Sequence, residues 1–160
     1  MKFKIVQPSD WLEYKSIRLQ SLKDSPQAFG ASFEKESSQS EELWKEKLTD
    51  TLRLFAFAYD EQNISGIVGA IKIKDNIWNI IAMYMAPEQR GQKHSGNLLD
   101  FLLQQLTNQA AAKACLRVNV EQKAAIQLYK SCGFQITETL KNELLGDGLL
   151  HDEYVMEKNL

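Results

Sequence analysis

The chain has 160 residues, 44% apolar and 25% charged, which suits one globular domain with room for a sizeable core. Its 19 Lys+Arg against 21 Asp+Glu leave a formal net charge of −2, so a generally basic surface for nucleic acid is not indicated. No apolar run approaches the ~20 residues of a membrane span, and Met1 to Val6 has neither the apolar stretch nor the small-residue cleavage site of a leader. The expectation is a cytoplasmic protein with no membrane and no nucleic-acid partner. The two cysteines, Cys115 and Cys132, lie in no C-x-x-C pair and among apolar neighbours. They read as small buried side chains, and free thiols fit a reducing compartment.

Lys2 to Gln7 alternates and predicts a short strand ended by Pro8. Ser9 or Asp10 is placed to cap a helix with Trp11, Leu12, Ile17, Leu19 and Leu22 as its apolar positions. Asp24-Ser-Pro breaks that pattern, and Gln27 to Ser40, with Gly30 and several serines, reads as a loop. Glu41 and Glu42 suit the first turn of a short helix through Leu48.

Three strands follow, Leu52–Tyr59, Ile64–Ile73 and Ile77–Met85, joined by hairpin-length turns into an antiparallel meander. Pro87 closes the third. A helix to about Gln109 carries Leu99, Leu102, Leu103 and Leu106 at helical spacing. Cys115–Val120 is a strand, Lys123–Cys132 a helix with Gly133 in the position after its cap, and Phe134–Leu140 and Glu153–Lys158 the last strands. The order is β-α-α-β-β-β-α-β-α-β-β.

The join before the leucine helix carries the strongest chemical signal. Arg90-Gly-Gln-Lys-His-Ser-Gly96 puts basic side chains, Arg90, Lys93 and His94, where a helix offers unpaired N–H groups and the positive end of its dipole. That sign is wrong for helix stability and right for a bound polyanion such as a pyrophosphate. A solvated basic turn fits the residues equally well. There is no G-x-x-x-x-G-K-[ST] and no G-x-G-x-x-G after the first strand, so the common nucleotide loops are excluded. Gln122 and Tyr129, about two helical turns apart, project from a similar face beside Ala124 and Ala125. Taken alone, Tyr129 reads first as a core-edge tyrosine.

Together these segments resemble the GNAT superfamily of acyl-CoA N-acyltransferases. The acyl-CoA motif is matched by Met83-Tyr-Met-Ala-Pro87-Glu-Gln-Arg90-Gly-Gln-Lys-His-Ser95-Gly-Asn-Leu-Leu99. The following motif is matched by Gln122-Lys-Ala-Ala125-Ile-Gln-Leu-Tyr129-Lys-Ser-Cys-Gly133-Phe134. The segments Ile17–Leu22 and Ser25–Phe29 look like the acceptor-side helix and loop of bacterial members. Lys93 stands where glycine is usual, Ser95 where glycine or alanine is usual, and Gln122 where asparagine is usual.

The resemblance implies an α+β fold: a mixed, largely antiparallel sheet of six to seven strands, flanked by about four helices, with a V-shaped opening between Ile77–Met85 and Cys115–Val120. It implies one domain over residues 1–160 with acetyl-CoA as co-substrate and no metal. The pantetheine arm would pair with Met83, Tyr84 and Met85, and the diphosphate would sit on Arg90, Gly91, Gln92, Lys93, His94, Ser95 and Gly96. Gln122 would contact the cofactor, and Tyr129 would also donate to the departing thiolate as the catalytic residue. The acceptor would be a small-molecule or peptide amine. Dimers are common among relatives, and a homodimer is the oligomer to look for. The glutamate base that many relatives carry early in the third meander strand is absent, since Ile77, Trp78 and Asn79 stand there. Glu34, Glu36 and Asp75 are weak substitutes that read as solvated charges. The missing base motivates a second reading, a non-catalytic acyl-CoA-binding sensor of the same fold. Trp11, Phe29, Phe33, Trp44 and Tyr154 either line the acceptor pocket or belong to the core.

Overall fold

Both turns of the meander close through a non-glycine residue in the left-handed region, Glu61 at φ 54° and Asn76 at φ 67°. They fold strands β2 (Arg53–Asp60), β3 (Asn63–Lys74) and β4 (Ile77–Met85) into tight hairpins. The computed structural model describes residues 1–160. Around the meander stand β1 (Lys2–Ile5), helices α1 (Trp11–Asp24), α2 (Phe33–Ser37) and α3 (Glu41–Thr49), and then α4 (His94–Asn108), β5 (Lys113–Asn119), α5 (Lys123–Ser131), β6 (Gln135–Leu144) and β7 (Leu150–Asn159). The seven strands form one sheet in the order β1-β2-β3-β4-β5-β7-β6. Every neighbouring pair is antiparallel except β4–β5. The expected mixed α+β sheet is present, and no helix is long and apolar enough to cross a membrane.

Two expectations need correction. The segment Gln27–Ser40 is not all loop, because Ser32 caps the short helix α2 by accepting from the Lys35 amide at 3.3 Å. That makes five helices rather than four. Helix α1 does not bury a purely apolar face either. Leu12 is 60% exposed, while Tyr14, Arg18 and Ser21 are buried; Tyr14 and Arg18 line a cleft, and the Ser21 hydroxyl donates to the Arg18 carbonyl.

Period-two alternation sends successive residues of each strand to opposite faces, and the core is accordingly split. Ala56 and Ala58 face one cluster with Leu98, Leu99, Leu102, Leu103 and Leu106 of α4. Phe55 and Phe57 face another with Tyr14 and Ile17 of α1 and Trp44 of α3. Strand β4 inverts its alternation midway, with Met85 back on the α4 side. Trp78 and Ile80 belong to the α4 cluster, and Ala82 and Tyr84 to the α1 cluster. The cause is a β-bulge: pairing with β3 skips from Gly69–Ile81 to Ile67–Tyr84, and Ala82 sits at φ 56°. Past Asn79 the strand also leaves β5, whose parallel pairing covers only Ile77–Asn79 with Lys113–Cys115. Strand β5 then pairs with β7 along its whole length. This divergence is the V-shaped opening.

The C-terminal hairpin reaches back to the N-terminal loop. The Gly146 amide donates to the Phe29 carbonyl at 2.7 Å. A Cβ on Gly146 would collide with the backbone oxygens of Ala31, Pro26 and Phe29. Gly146→Ala is therefore expected to destabilise the fold by about 1–3 kcal/mol, read as a lower urea midpoint at unchanged m-value.

Candidate active site

The turn before α4 leaves a run of backbone amides unpaired. After Arg90, whose amide closes the 3-10 turn on Pro87, no backbone N–H from Gly91 to Gly96 donates within the chain. These amides stand at the positive end of a 15-residue helix. Gly91 takes φ 76°, which needs a glycine. Lys93, the helix N-cap, takes φ 64°, a region that disfavours side-chain-bearing residues by roughly 1–2 kcal/mol. That explains why glycine is usual at this place of the motif. Gly96 has no such need, since a Cβ there would meet Leu128 at an ordinary 3.6 Å.

Arg90 folds back over the strand it follows. Its Nε donates to the Met85 carbonyl at 2.8 Å, and its guanidinium carbon lies 5.7 Å from the centre of the Tyr84 ring. Tyr84 donates in turn to Asp24 Oδ2 at 2.5 Å and accepts from Gln20 Nε2 at 3.2 Å. Burial and then the Asp24 bond push its phenol up to about 12.

Helix α5 sets the other lip. Its C-terminus closes with the Schellman pair, Phe134 N–H to Tyr129 carbonyl and Gly133 N–H to Lys130 carbonyl, each 3.0 Å, with Gly133 at φ 93°. Lys158 Nζ satisfies the freed Cys132 carbonyl at 2.7 Å. The ring of Tyr129 packs edge-on to Phe134 at 6.1 Å and is only 8% exposed. Burial, followed by Cys132, pushes its phenol well above the ordinary tyrosine value.

One cleft of about 870 Å³ runs through the V. Of the residues singled out from sequence, it is lined by Met83, Tyr84, Met85, Arg90, Gly91, Lys93, Ser95, Gly96, Gln122 and Tyr129. Gln92 and His94 are not among the lining residues; the His94 ring bonds Gln92 Oε1 at 3.2 Å on the surface. Phe29 lines the cleft, whereas Trp44 is fully buried core. Cys132 is buried as expected, but Cys115 is only half-buried, with its thiol 3.6 Å from Asn79 Oδ1.

Glu34 and Asp75 are exposed, in keeping with solvated charges. Glu36 is not: it is 8% exposed, lines the cleft, and accepts from Arg18 Nε at 3.2 Å. Two further carboxylates of the cleft, Glu143 and Glu153, escaped sequence reasoning. They lie in the final hairpin, and a glutamate in an alternating strand carries no mark of whether its face meets solvent or a cavity.

A splayed parallel strand pair, with a turn of free amides at one lip and a buried phenol at the other, defines an acyltransferase architecture. The chain belongs to the acetyltransferase (GNAT) family, whose model matches residues 19–134. It is an enzyme of the acyl-CoA-dependent N-acyltransferase class. Its fold is similar to that of a ribosomal-protein-alanine N-acetyltransferase from Brucella melitensis, at TM-score 0.82 and 18% identity over 100% of both chains. It is also similar to a spermidine N-acetyltransferase from Vibrio cholerae in complex with CoA and spermine, at TM-score 0.76 and 23% identity over 99% of this chain and 94% of that one. A third similar structure is a putative acetyltransferase from Salmonella typhimurium with acetyl-CoA, at TM-score 0.81 and 14% identity over 100% of this chain and 94% of that one. No curated protein matches the sequence at a significant level.

Because glycine relieves the left-handed strain at the α4 cap, Lys93→Gly is expected to stabilise the folded chain by about 0.5–1 kcal/mol. The corresponding rise in Tm is about 1–4 °C, measured by scanning calorimetry without ligand.

Proposed function

We propose that this protein transfers the acetyl group of acetyl-CoA to a primary amine by direct attack. The observation that carries this reading is that the free amides beginning at Gly91 and the Tyr129 ring line one cleft. The turn from Arg90 to Gly96 fits a diphosphate, with Lys93 adding a charge at the rim. The backbone of Met83–Met85, unpaired on its β5 side, accepts an extended pantetheine arm as a sheet accepts a further strand. Gln122, the N-cap of α5, supports that arm from the facing lip. Acetyl-CoA supplies the activated acyl group.

A backbone N–H of the splayed strand stabilises the oxyanion as the amine attacks the thioester carbonyl. The C–N bond forms and the C–S bond breaks. The proton lost by nitrogen balances the one gained by sulfur. Tyr129 faces the departing thiolate. An ordinary phenol near ~10 already holds its proton more tightly than a thiol near ~8.5, and burial widens that gap. Its main work is therefore hydrogen-bond donation to the developing charge. The acceptor is a small-molecule or peptide amine. The similar structures include acetyltransferases named for a protein alanine and for spermidine, which supports an amine without choosing among them. We place the enzyme in the cytoplasm, with neither membrane nor nucleic acid as partner.

Tyr129→Phe is expected to lower kcat at least ~10-fold in a thiol-release assay; an unchanged kcat removes Tyr129 from the chemistry. Since burial raises this pKa, the phenol stays protonated past ~10, the ordinary value. No alkaline fall in kcat is expected from it below that pH, and an alkaline limb lost in Tyr129→Phe would contradict the raised pKa while keeping Tyr129 as the donor. Acetyl-CoA is expected to shift the amide resonances of Gly91 to Gly96. Binding there with no thiol release on any amine would instead mark a non-catalytic acyl-CoA sensor.

A further inference from the structure

The charges at the acceptor end of the cleft are sorted by side. On α1, Arg18 is 9% exposed and pairs through Nε with Glu36, yet its Nη1 is buried and bonds nothing. Its guanidinium lies 5.1 Å from the centre of the Phe29 ring. Lys47 Nζ stands 3.5 Å from the same Glu36. Arg53, on β2, lines the cleft beside them. Burial lowers the pKa of Lys47, Glu36 opposes the fall, and Arg18 and Arg53 add to it. Asp50 pairs with Arg53 at 3.2 Å but does not line the cleft. Even with Asp50 included, cations outnumber carboxylates in this corner.

The other side is acidic on balance, with two glutamates against one cation, the exposed Arg117 of β5; burial raises the pKa of Glu153 and Arg117 opposes the rise. Glu153 of β7 is 7% exposed, makes no ion pair, and lines the cleft together with Glu143 of β6. In the sheet order Arg53 lies two strands to one side of β4 and Glu153 two strands to the other. The two poles therefore flank the V, where a thioester would lie.

We infer that the acceptor is an amine that also bears a carboxylate, its ammonium set against Glu153 and its carboxylate received by Arg18 and Arg53. The inference rests on the transferase reading above and narrows its substrate class. A guanidinium fork with an unused N–H matches a carboxylate in shape and charge. A polyamine would bring further positive charge to a corner already rich in it.

The test compares matched pairs, amino acids against their own carboxamides, with spermidine as a third acceptor. Free amino acids and short peptides with a free C-terminus are run as separate arms to tell the two sources of carboxylate apart. In one arm at least, kcat/KM for the acid is expected to exceed that for the amide by about tenfold or more. Arg53→Gln, at a half-buried position that spares the Arg18–Glu36 pair, is expected to bring that ratio to within about threefold. The ratio is read within one preparation, so partial misfolding leaves it unmoved. Glu153→Gln is expected to lower kcat/KM on both members of a pair by about tenfold. Equal rates on acid and amide, or a full ratio retained in Arg53→Gln, would overturn the inference. Unaltered rates in Glu153→Gln would overturn the placement of the ammonium. Absence of thiol release on every amine defeats the transferase reading instead. Calorimetry of acid against amide in the presence of CoA then decides the present inference by itself.

Discussion

The site depends on one extra residue in β4. The bulge at Ala82 turns the strand's alternation over: Trp78 and Ile80 before it face the α4 cluster, whereas after it Ala82 and Tyr84 face the α1 cluster and Met85 the α4 cluster. It coincides with the loss of pairing to β5. A regular parallel pair would satisfy its backbone groups internally and leave no slot. The bulge replaces that satisfaction with a free edge held inside the sheet, away from the aggregation hazard of a true outer edge. The left-handed φ at Ala82 is the strain stored for it.

The helices then supply polarity to an opening that the sheet merely creates. Helix α4 presents unpaired amides at its start, and a long leucine face anchors it to the sheet. Helix α5 is short, and its Schellman end fixes the ring of Tyr129 against Phe134. Rigidity at both lips is what positions reacting groups before a ligand arrives. Helix α1 works differently: it brings Arg18 and Tyr14 inward and accepts a weaker apolar face as the consequence.

Much of this was legible in sequence because it is local. The hairpin turns, the leucine spacing of α4, and Gly133 after α5 each announce themselves within a few residues, and two motifs in register located the turn and Tyr129. The bulge was not legible, since Ala82 sits in an apolar run with no glycine to mark it. Helix α2 hid among serines that read as loop until Ser32 was seen to cap it. Glu36 looked like surface because its partners, Arg18 and Lys47, come from other helices. Glu153 is decided by which face of β7 meets the cleft, a fact of tertiary assembly rather than of its neighbours.

The contact between Gly146 and Phe29 has a consequence for how the pocket comes into being. It joins segments from opposite ends of the chain, and both segments line the cleft. Closing so long a loop is entropically late work, done after nearer contacts have formed. A nascent chain that has completed the central strands but not the last hairpin thus already has its turn of free amides and lacks one wall of the cleft. The cleft gains its final wall last.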